Sequence, residues 1–441
     1  MEFTTTVDAP LDEVFAWHER PGAIGRLIPP WQPLRVLSEA QSLASGKAVL
    51  GMPFGLTWTA QHLTKEYRDH ERFVDELTTP ILRNIAPWRH AHSFAAQTQS
   101  RTRITDTIDT RIPDSVLNRN MAYRERQIHG DFASHALARS LGAEPMTIAV
   151  TGSSGLIGTA LCAFLSTGGH RVVQLVRRAP SESPHYAQER YWNPDDPATD
   201  LLDGIDAVIH LAGESVAGRF NSQRREKLLS SRVRPTRRLA ELMGTRPFVV
   251  ASGVGIYGPD RGDEILTESS ERGDGFLAEL AVEWEAAADP ARESGSRVTH
   301  VRTGIVQSPN GGVLELMRPL FFVGAGGRLG NGRQWTPWIG IDDMVDIYLR
   351  CVVDRALVGP VNAVAPNPVT NRDYTRVLAK VMRRPGIMSV PALGPKLIFG
   401  SEAVREFILA GQRVQPALLE SLDHPFRFTE LEAALRHLLG R

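Results

Sequence analysis

Residues 146–178 read "MTIAVTGSSGLIGTALCAFLSTGGHRVVQLVRR", and this stretch decides the fold of the chain around it. A short apolar run leads into three glycines, Gly152, Gly155 and Gly158, and an amphipathic helical segment and a second apolar run, 171–176, follow them. Strand, glycine-rich turn, helix and strand occur in the order that dinucleotide-binding folds require, so the match is much stronger than a glycine triplet alone. The segment predicts a pyrophosphate site.

The three glycines have different roles in such a turn. One allows a sharp bend without a Cβ clash, another lets the backbone approach the pyrophosphate, and the third lets the helix pack closely on the strand. The helix that begins after the turn offers unpaired N–H groups and a partial positive charge to a phosphate.

The end of the second strand selects the cofactor. A carboxylate at that place would accept the ribose 2′-hydroxyl of NAD, but this chain has Arg177 and Arg178 there. Two guanidinium groups match a 2′-phosphate in charge and in geometry. The sequence therefore predicts NADP(H) rather than NAD(H). Solvated surface arginines are the alternative, and they would leave the preference open.

Later segments continue the same pattern. Apolar strands are predicted in "DAVIHLAGE" (206–214), "RPFVVASGVGIYG" (246–258) and "RVTHVRTGIVQS" (297–308), with helical segments between them. Strands that alternate with helices form a doubly wound parallel sheet, so the fold class is α/β of the Rossmann type.

The composition fits a globular protein of two or three domains. The chain has 441 residues, and its 50 basic and 50 acidic residues cancel, so it carries no general attraction for nucleic acid or an anionic membrane. Cys162 and Cys351 read as small buried side chains in a reducing compartment. Neither a signal peptide nor an apolar run of about 18 residues occurs, which predicts a soluble, cytoplasmic protein without a membrane span.

The chain changes character at "GAEP", where a helical segment gives way to the first Rossmann strand. Gly142 and Pro145 mark a short linker. Met146 resembles the first residue of a formerly separate protein. We place a domain boundary at 143–146.

Residues 1–142 predict an α+β domain with a strand, a helix, several alternating strands and a long closing helix. This order resembles the helix-grip domains of the START and polyketide-cyclase (SRPBCC) superfamily, which implies an apolar ligand cavity. His90 and His92 share one strand face and, with His62, would suggest a metal site. We expect no metal, because no carboxylate or cysteine stands at matching spacing. Four tryptophans are interpreted as core or pocket walls: Trp17, Trp31, Trp58 and Trp88.

Residues 146–441 resemble one family. The motifs that carry the resemblance are, in order, "TGSSGLIG", "HLAGESV", "SSRVRPTRRL", "ASGVGIYG", "GFLAELAVEWEAAA", "VRTGIVQSPNGGVL", "GGRLGNGRQWTPWIGIDDMV" and "AGQRVQP". They are similar to the atypical extended short-chain dehydrogenase/reductases known as NAD(P)-dependent epimerases, some of which are labelled cell division inhibitors. The resemblance implies a Rossmann domain at 146–370 and a small helical C-terminal domain at 371–441.

The resemblance also implies cofactor contacts at the matching positions. The pyrophosphate would be bound by Gly152, Ser153, Gly155, Leu156, Ile157 and Gly158. Arg177 and Arg178 would hold the 2′-phosphate. Adenine and ribose would lie against Leu211, Ala212 and Gly213.

Other matching positions concern the reaction. Ser252 stands where the superfamily has a serine that hydrogen-bonds the reacting oxygen, and Arg302 ends a later strand near the nicotinamide or the substrate. The segment 326–335, with Asp342 and Asp343, belongs to the part that usually closes over substrate.

The chain departs from the family's chemistry at "GDGFLAEL", residues 273–280. Phe276 and Leu280 fall where a short-chain dehydrogenase usually carries its catalytic tyrosine and lysine. A helix brings i and i+4 to one face, but phenylalanine cannot donate a proton and leucine has no charge. Tyr257 is the candidate substitute, with Glu279 and Glu283 as alternative bases on the same helix. His210 is interpreted as a structural residue beside the cofactor.

The sequence therefore predicts an NADP(H)-dependent oxidoreductase or epimerase with Ser252 and Tyr257 as catalytic residues, acting on a small hydroxylated or carbonyl substrate. Two alternatives stay open. One is a non-catalytic NADP(H)-binding sensor, and the other is a coupled device in which residues 1–142 present an apolar ligand to the dinucleotide site. Members of the superfamily commonly form dimers through helices, so the resemblance also suggests a homodimer.

Overall fold

A computed structural model describes residues 1–181, 187–216, 218–386, 388–390, 402 and 404–441. The helices, in chain order, are α1 (Leu11–Glu19), α2 (Ala23–Leu27), α3 (Pro80–Ile85), α4 (Asp114–Ser140), α5 (Leu156–Thr167), α6 (Ser222–Ser230), α7 (Val233–Ala240), α8 (Phe276–Ala286), α9 (Asp289–Glu293), α10 (Gly312–Phe322), α11 (Ile341–Val353), α12 (Asn371–Met382), α13 (Ala417–Ser421) and α14 (Leu431–Leu439). Shorter helical turns lie at Pro53–Gly55, Thr64–Glu66, Val254–Tyr257 and Val404–Ile408.

The strands, in chain order, are β1 (Glu2–Val7), β2 (Arg35–Ser38), β3 (Lys47–Gly51), β4 (Thr57–His62), β5 (Arg72–Leu77), β6 (Trp88–Thr98), β7 (Arg101–Thr110), β8 (Thr147–Thr151), β9 (Arg171–Val176), β10 (Gln188–Tyr191), β11 (Ala207–His210), β12 (Phe248–Gly253), β13 (Asp260–Leu266), β14 (Val298–Thr303), β15 (Ile305–Gln307), β16 (Gly327–Leu329), β17 (Trp335–Thr336), β18 (Trp338–Gly340), β19 (Gly359–Ala363), β20 (Val369–Thr370), β21 (Met388–Val390) and β22 (Gly411–Val414).

The first seven strands form one antiparallel sheet in the order β1-β7-β6-β5-β4-β3-β2. Side chains alternate between solvent and interior along β7, where Thr102, Ile104, Asp106 and Ile108 are buried. The 27-residue helix α4 lies across the sheet, and its Phe132 joins the core between them. The predicted order of strand, helix, strands and long closing helix is confirmed.

The second sheet is parallel, in the order β10-β9-β8-β11-β12-β14-β19. Helices cover both faces, and two separate apolar cores fill the space between helices and sheet. The predicted α/β doubly wound sheet is confirmed. The strand order reverses between β8 and β11, and in such sheets the crevice at the reversal, outside the carboxyl ends of the strands, is the ligand site.

The last part of the chain contains helices α12 and α14, which pack on each other in a third apolar core. The resemblance implies a helical domain at 371–441, but its segment 401–422 also contains β22, which pairs in parallel with β13. Gln412 explains the change, because its buried side chain donates to the carbonyl oxygen of Gly258 while the backbone pairs at the edge of β13. Residues 401 and 403 of that segment lie outside the described residues.

A buried ion network joins the antiparallel sheet's helices to those of the parallel sheet. Arg26 of α2 binds Asp131 of α4 through two hydrogen bonds of 2.6 and 2.9 Å, and it also donates to Asp342 of α11 at 3.0 Å. Arg427 binds Asp346 of α11 at 2.5 and 2.7 Å and lies 3.0 Å from Asp131. Since all these side chains are at most 10% exposed, the network fixes how the two parts of the chain sit together.

The network corrects the expectation for Asp342 and Asp343. Both are buried at the start of α11, and Asp343 accepts a hydrogen bond of 2.6 Å from the backbone N–H of Arg427. They hold the chain together there, whereas the sequence suggested that they cover a substrate. Cys162 and Cys351 are both buried with free thiols. Among the described helices, none combines the length and the apolar character that crossing a membrane requires.

Candidate active site

The predicted glycine turn lies between β8 and α5, at the reversal of strand order. Gly152 has a φ of +64°, and a Cβ on it would lie 2.8 Å from the carbonyl carbon of Leu211. A Cβ on Gly158 would collide with the carbonyl oxygen of Gly152 and lie 2.7 Å from the Cα of Ser153. Only glycine therefore fits at these two places, one for the turn and one for the close packing of helix on strand.

The turn has the features that a pyrophosphate needs. Gly155 precedes α5 as its N-cap and supplies no side-chain hydrogen bond to the first turn, so the helix N-terminus keeps its N–H groups available. The 211–213 segment borders the turn, and the backbone N–H groups of Leu211 and Ala212 both donate to the Thr151 hydroxyl at 3.1 and 3.2 Å. These residues fit a dinucleotide whose pyrophosphate sits on the helix N-terminus.

His210 supports this wall of the crevice. Thr151 accepts the two backbone N–H groups and donates its own hydrogen to Nδ1 of His210 over 2.7 Å. Burial lowers the pKa of His210 to about 3, so the ring is neutral. The geometry agrees with the interpretation of His210 as a structural residue.

Both arginines predicted to select the cofactor lie just beyond β9 and are exposed. Arg178 is engaged by Glu189 of β10, with hydrogen bonds of 2.8 and 2.6 Å to the two carboxylate oxygens. Arg177 projects from the same corner. The two arginines make this corner positively charged. It also contains a carboxylate, because Glu189 of the neighbouring strand lies there.

A row of polar side chains crosses three neighbouring strands at the carboxyl half of the sheet. Ser252 of β12 pairs in register with Arg302 of β14, and Arg302 pairs with Asn362 of β19. In-register residues of parallel strands point to the same face of the sheet. The predicted Ser252 and Arg302 are therefore neighbours, and Asn362 joins them.

Two further side chains complete this cluster. Glu285 of α8 accepts a hydrogen bond of 2.7 Å from Ser252 and two, of 2.9 and 3.0 Å, from the guanidinium of Arg302. The Tyr257 hydroxyl accepts from Arg302 at 3.0 Å and donates to the Asn362 side-chain oxygen at 2.7 Å. The five side chains form one continuous hydrogen-bond network.

Burial and hydrogen bonds together determine which side chains of the cluster are charged. Burial pushes the pKa of Glu285 upward, but the hydrogen bonds from Arg302 and the surrounding positive charge outweigh burial and leave this pKa lowered. Burial raises the pKa of Tyr257 despite the adjacent Arg302. At neutral pH the network therefore contains an ionised carboxylate, a charged guanidinium and a neutral phenol.

The usual acid–base pair is absent from α8. Phe276 and Leu280 are 5% and 4% exposed, and they pack with Phe220 and Leu228 in a small apolar cluster. Glu279 and Glu283, the two glutamates proposed as alternative bases, lie on the exposed face of the same helix.

Sequence reasoning missed two members of the cluster, Glu285 and Asn362. A clue existed for Glu285, because it falls on the helical stripe of Ala278, Ala281 and Ala288, all of which are buried. A glutamate on an otherwise apolar helix face requires a buried partner. Asn362 had no such clue, since its role depends on the register of β14 and β19.

Comparison with protein families supports the assignment of the parallel sheet. The sequence profile of the NAD dependent epimerase/dehydratase family matches residues 148–365. A second profile, that of a domain of unknown function called DUF1731, matches residues 390–438.

Individual relatives resemble the chain over different spans. The epimerase family protein Mb2239 of Mycobacterium bovis is 40% identical over 300 residues, which is 67% of this chain and 98% of that protein. A crystal structure of a nucleoside-diphosphate sugar epimerase from Corynebacterium glutamicum is 43% identical with a TM-score of 0.87, and it covers 100% of this chain and 90% of its own. The human epimerase family protein SDR39U1, solved with NADPH, is 30% identical with a TM-score of 0.59, over 67% of this chain and 99% of that one.

Proposed function

The chain belongs to the NAD-dependent epimerase/dehydratase family, and we propose that it is an NADP(H)-dependent oxidoreductase or epimerase acting on a small hydroxylated or carbonyl substrate. The observation that carries the proposal is the buried network of Ser252, Tyr257, Glu285, Arg302 and Asn362 at the carboxyl half of the strands. It takes the place of the missing Tyr–Lys pair.

Ser252 is the group proposed to meet the reacting oxygen. Its hydrogen points to the ionised Glu285, so its lone pairs are free to accept a hydrogen bond from a substrate hydroxyl. A substrate proton passes to Ser252 Oγ as the Ser252 proton passes to Glu285, which makes the serine a relay and the glutamate the base. Arg302 keeps the carboxylate oriented and charged until that moment. The nicotinamide, when bound, supplies hydride transfer.

Tyr257 is proposed as the second polar group on the reacting oxygen. Its hydroxyl is 0% exposed and its proton is given to Asn362, so it donates to a substrate only after exchanging that partner. This need for exchange distinguishes it from an ordinary catalytic tyrosine. It also predicts that Tyr257 contributes less than Ser252.

The preference for NADP(H) is supported by the cationic corner at Arg177 and Arg178. An arginine pair without a carboxylate on its own strand end favours a 2′-phosphate. The human relative at 30% identity was solved with NADPH.

We also propose that residues 1–142 form a helix-grip domain with a ligand cavity. A cavity of about 450 Å³ lies between the antiparallel sheet and α4, with apolar walls that include Leu50, Phe73 and Met121. Trp58 and Trp88 line it, as expected of pocket walls.

Assembly of the chain into a homodimer stays a prediction, to be tested by light scattering.

Nicotinamide absorbance tests for an oxidoreductase, and chromatography of the products tests for an epimerase, which restores the nicotinamide at each turnover. The full chain is incubated with NADPH and a panel of carbonyl compounds, and NADP⁺ is paired with alcohols and with nucleoside-diphosphate sugars, the class that describes the Corynebacterium glutamicum relative. We expect turnover with one class, lost in the double variant Ser252→Ala/Tyr257→Phe and kept in the exposed-site control Ser230→Ala. Turnover that persists in the double variant would overturn the assignment.

A sensor without turnover is the second candidate, and the apolar surroundings of Phe276 and Leu280 favour it. Saturable NADPH binding, with no oxidation or reduction of the nicotinamide and no epimerised product from any member of the panel, would support the sensor against the enzyme.

A further inference from the structure

Four polar side chains form a cluster on the wall of the N-terminal cavity, far in sequence from the dinucleotide turn. Asp75 of β5 stands directly opposite His90 of β6, and His92 of β6 stands directly opposite Asp106 of β7. Cross-strand partners share one face of the sheet, and so do residues i and i+2 of one strand. All four therefore point to the same side, into the space under α4.

Three of these side chains converge. The available nitrogen of each histidine and a carboxylate oxygen of Asp75 all lie within 4.8 Å of one another. His92 Nε2 is 3.5 Å and His90 Nδ1 is 4.0 Å from Asp75 Oδ2. Two ligand atoms of a tetrahedral ion, each ~2.1 Å from it, are ~3.4 Å apart. The His92–Asp75 pair is already near that separation, whereas His90 Nδ1 must approach Asp75 by ~0.6 Å for the three atoms to meet one ion.

We propose that Asp75, His90 and His92 form a binding site for a divalent first-row transition-metal ion of the zinc class. Two imidazole nitrogens and one carboxylate oxygen are donors of the type that Zn²⁺, Fe²⁺ and Co²⁺ take in proteins. All three residues line the cavity.

Neighbouring groups orient the three ligands as outer-shell partners do in metal sites. Asp106 accepts a hydrogen bond of 2.8 Å from His90 Nε2, which directs Nδ1 of that ring toward Asp75. The same Asp106 oxygen lies 2.7 Å from Nδ1 of His92, without hydrogen-bond geometry, and leaves Nε2 facing Asp75. The indole N–H of Trp88 donates to Asp75 Oδ1 at 3.2 Å, so the other oxygen, Oδ2, is aimed at the histidines.

The cluster brings two carboxylates and one guanidinium to the two imidazole rings. Asp75 and Asp106 each lie within 4.0 Å of nitrogens of both histidines, and Arg124 lies 3.9 Å from Asp106. A carboxylate that binds the ion and a second one that holds the imidazoles are the direct and outer-shell partners that such ions take in proteins.

The cavity provides space for a molecule that would bind to the proposed ion. Three protein ligands leave open coordination positions, which face the cavity that the same residues line. A bound molecule would place an oxygen on the ion and its apolar part against the remaining walls. The spacing of residues in the sequence did not indicate a metal site, because the carboxylates come from β5 and β7 and not from the strand of the two histidines.

Cobalt binding tests the site on the full chain. The protein is stripped with a chelator and titrated with Co²⁺, and the visible d–d absorption and equilibrium dialysis report the ion directly. We expect one Co²⁺ per chain, displaced by Zn²⁺. Asp75→Asn and His92→Gln should abolish that binding, whereas His62→Gln, in the same cavity wall, should keep it.

Two milder variants guard against misfolding. Asp106→Asn and Trp88→Phe leave the three ligands in place, and each should weaken Co²⁺ binding about 10- to 100-fold. Near-ultraviolet circular dichroism verifies that every variant is folded. Absence of saturable Co²⁺ binding to the stripped wild-type chain, or binding that survives in folded Asp75→Asn and His92→Gln, would overturn the proposal.

Discussion

The hydroxyl of Ser252 donates a 2.7 Å hydrogen bond to the carboxylate of Glu285, and this contact joins strand β12 to helix α8 at the candidate active site. The carboxylate is already fixed by Arg302. The serine oxygen is therefore held in one orientation with its lone pairs available.

Ser252→Ala should remove the serine oxygen that accepts the substrate proton, with little effect on the fold. We expect kcat to fall about 100-fold or more on any substrate that the wild type turns over, since a lost proton relay costs that much. NADPH affinity and the thermal unfolding midpoint should be nearly unchanged. Steady-state kinetics and calorimetry check this, with Ser230→Ala as control. A kcat equal to that of the wild type would remove Ser252 from the reaction.

Restoring a lysine at position 280 should not restore the usual acid–base pair. Leu280 is packed among Phe220, Leu228 and Phe276, so Leu280→Lys buries an ammonium group without a partner. We expect a loss of about 2–4 kcal/mol in the free energy of unfolding by urea. Glu279→Lys, on the exposed side of the same helix, should change it by less than about 0.5 kcal/mol. Equal effects of the two lysines would contradict the apolar assignment.

The two arginines after β9 should differ in their contribution to cofactor choice. Arg178 already binds Glu189, whereas Arg177 projects from the corner as an exposed guanidinium. We expect Arg177→Ala to weaken NADPH binding about 10- to 100-fold with little change for NADH, and Arg178→Ala to have a smaller effect. Titration of both variants with both dinucleotides measures the ratios. A larger effect at Arg178 would reverse the assignment.

The buried network between the two sheets should dominate the stability of their contact. Arg26→Met leaves Asp131 and Asp342 with less positive charge in a dry environment, and we expect a loss of about 3–5 kcal/mol. Arg234 and Asp195 form an exposed pair, so Arg234→Met should cost less than about 1 kcal/mol. Urea unfolding followed by tryptophan fluorescence separates the two cases. Similar losses would mean that the network is not a principal contact.

Buried histidines should make the protein sensitive to mild acid. Burial lowers the pKa of His135, His210 and His424 to about 3, against about 6.5 in an unfolded chain. The unfolded state thus binds more protons between these values. The stability that each ring contributes is complete above pH 6.5 and falls, by about 1.4 kcal/mol per pH unit, as the pH drops toward 3.

A single substitution isolates one of these rings. His135 stacks on Phe164 at 4.4 Å, with Asp131 as its nearby acid. His135→Leu should flatten the dependence of unfolding free energy on pH by about one proton. An unaltered slope in His135→Leu would show that this ring does not remain neutral in the folded protein.

Local patterns were sufficient for much of the parallel sheet. The glycine turn and strands β8, β9, β11, β12 and β14 follow from apolar runs and turn residues that are close together in the sequence. Strand β22 was missed, because its pairing with β13 depends on contacts about 150 residues apart that override a helical pattern.

Side chains assembled across strands were the hardest to predict. Glu285, Asn362 and Asp75 each acquire their partners from the register of distant strands or from a helix packed on them. Residue type and spacing within one segment carry no record of that register. Phe276 and Leu280 show the converse, since their apolar character alone excluded proton transfer.

Calorimetric titration of the wild-type chain with NADPH and, separately, with NADH tests most directly whether the turn at Gly152–Gly158 binds a phosphorylated dinucleotide. We predict saturable binding of one NADPH per chain, at least about tenfold tighter than NADH. No heat with either molecule, or equal affinities for the two, would contradict the account.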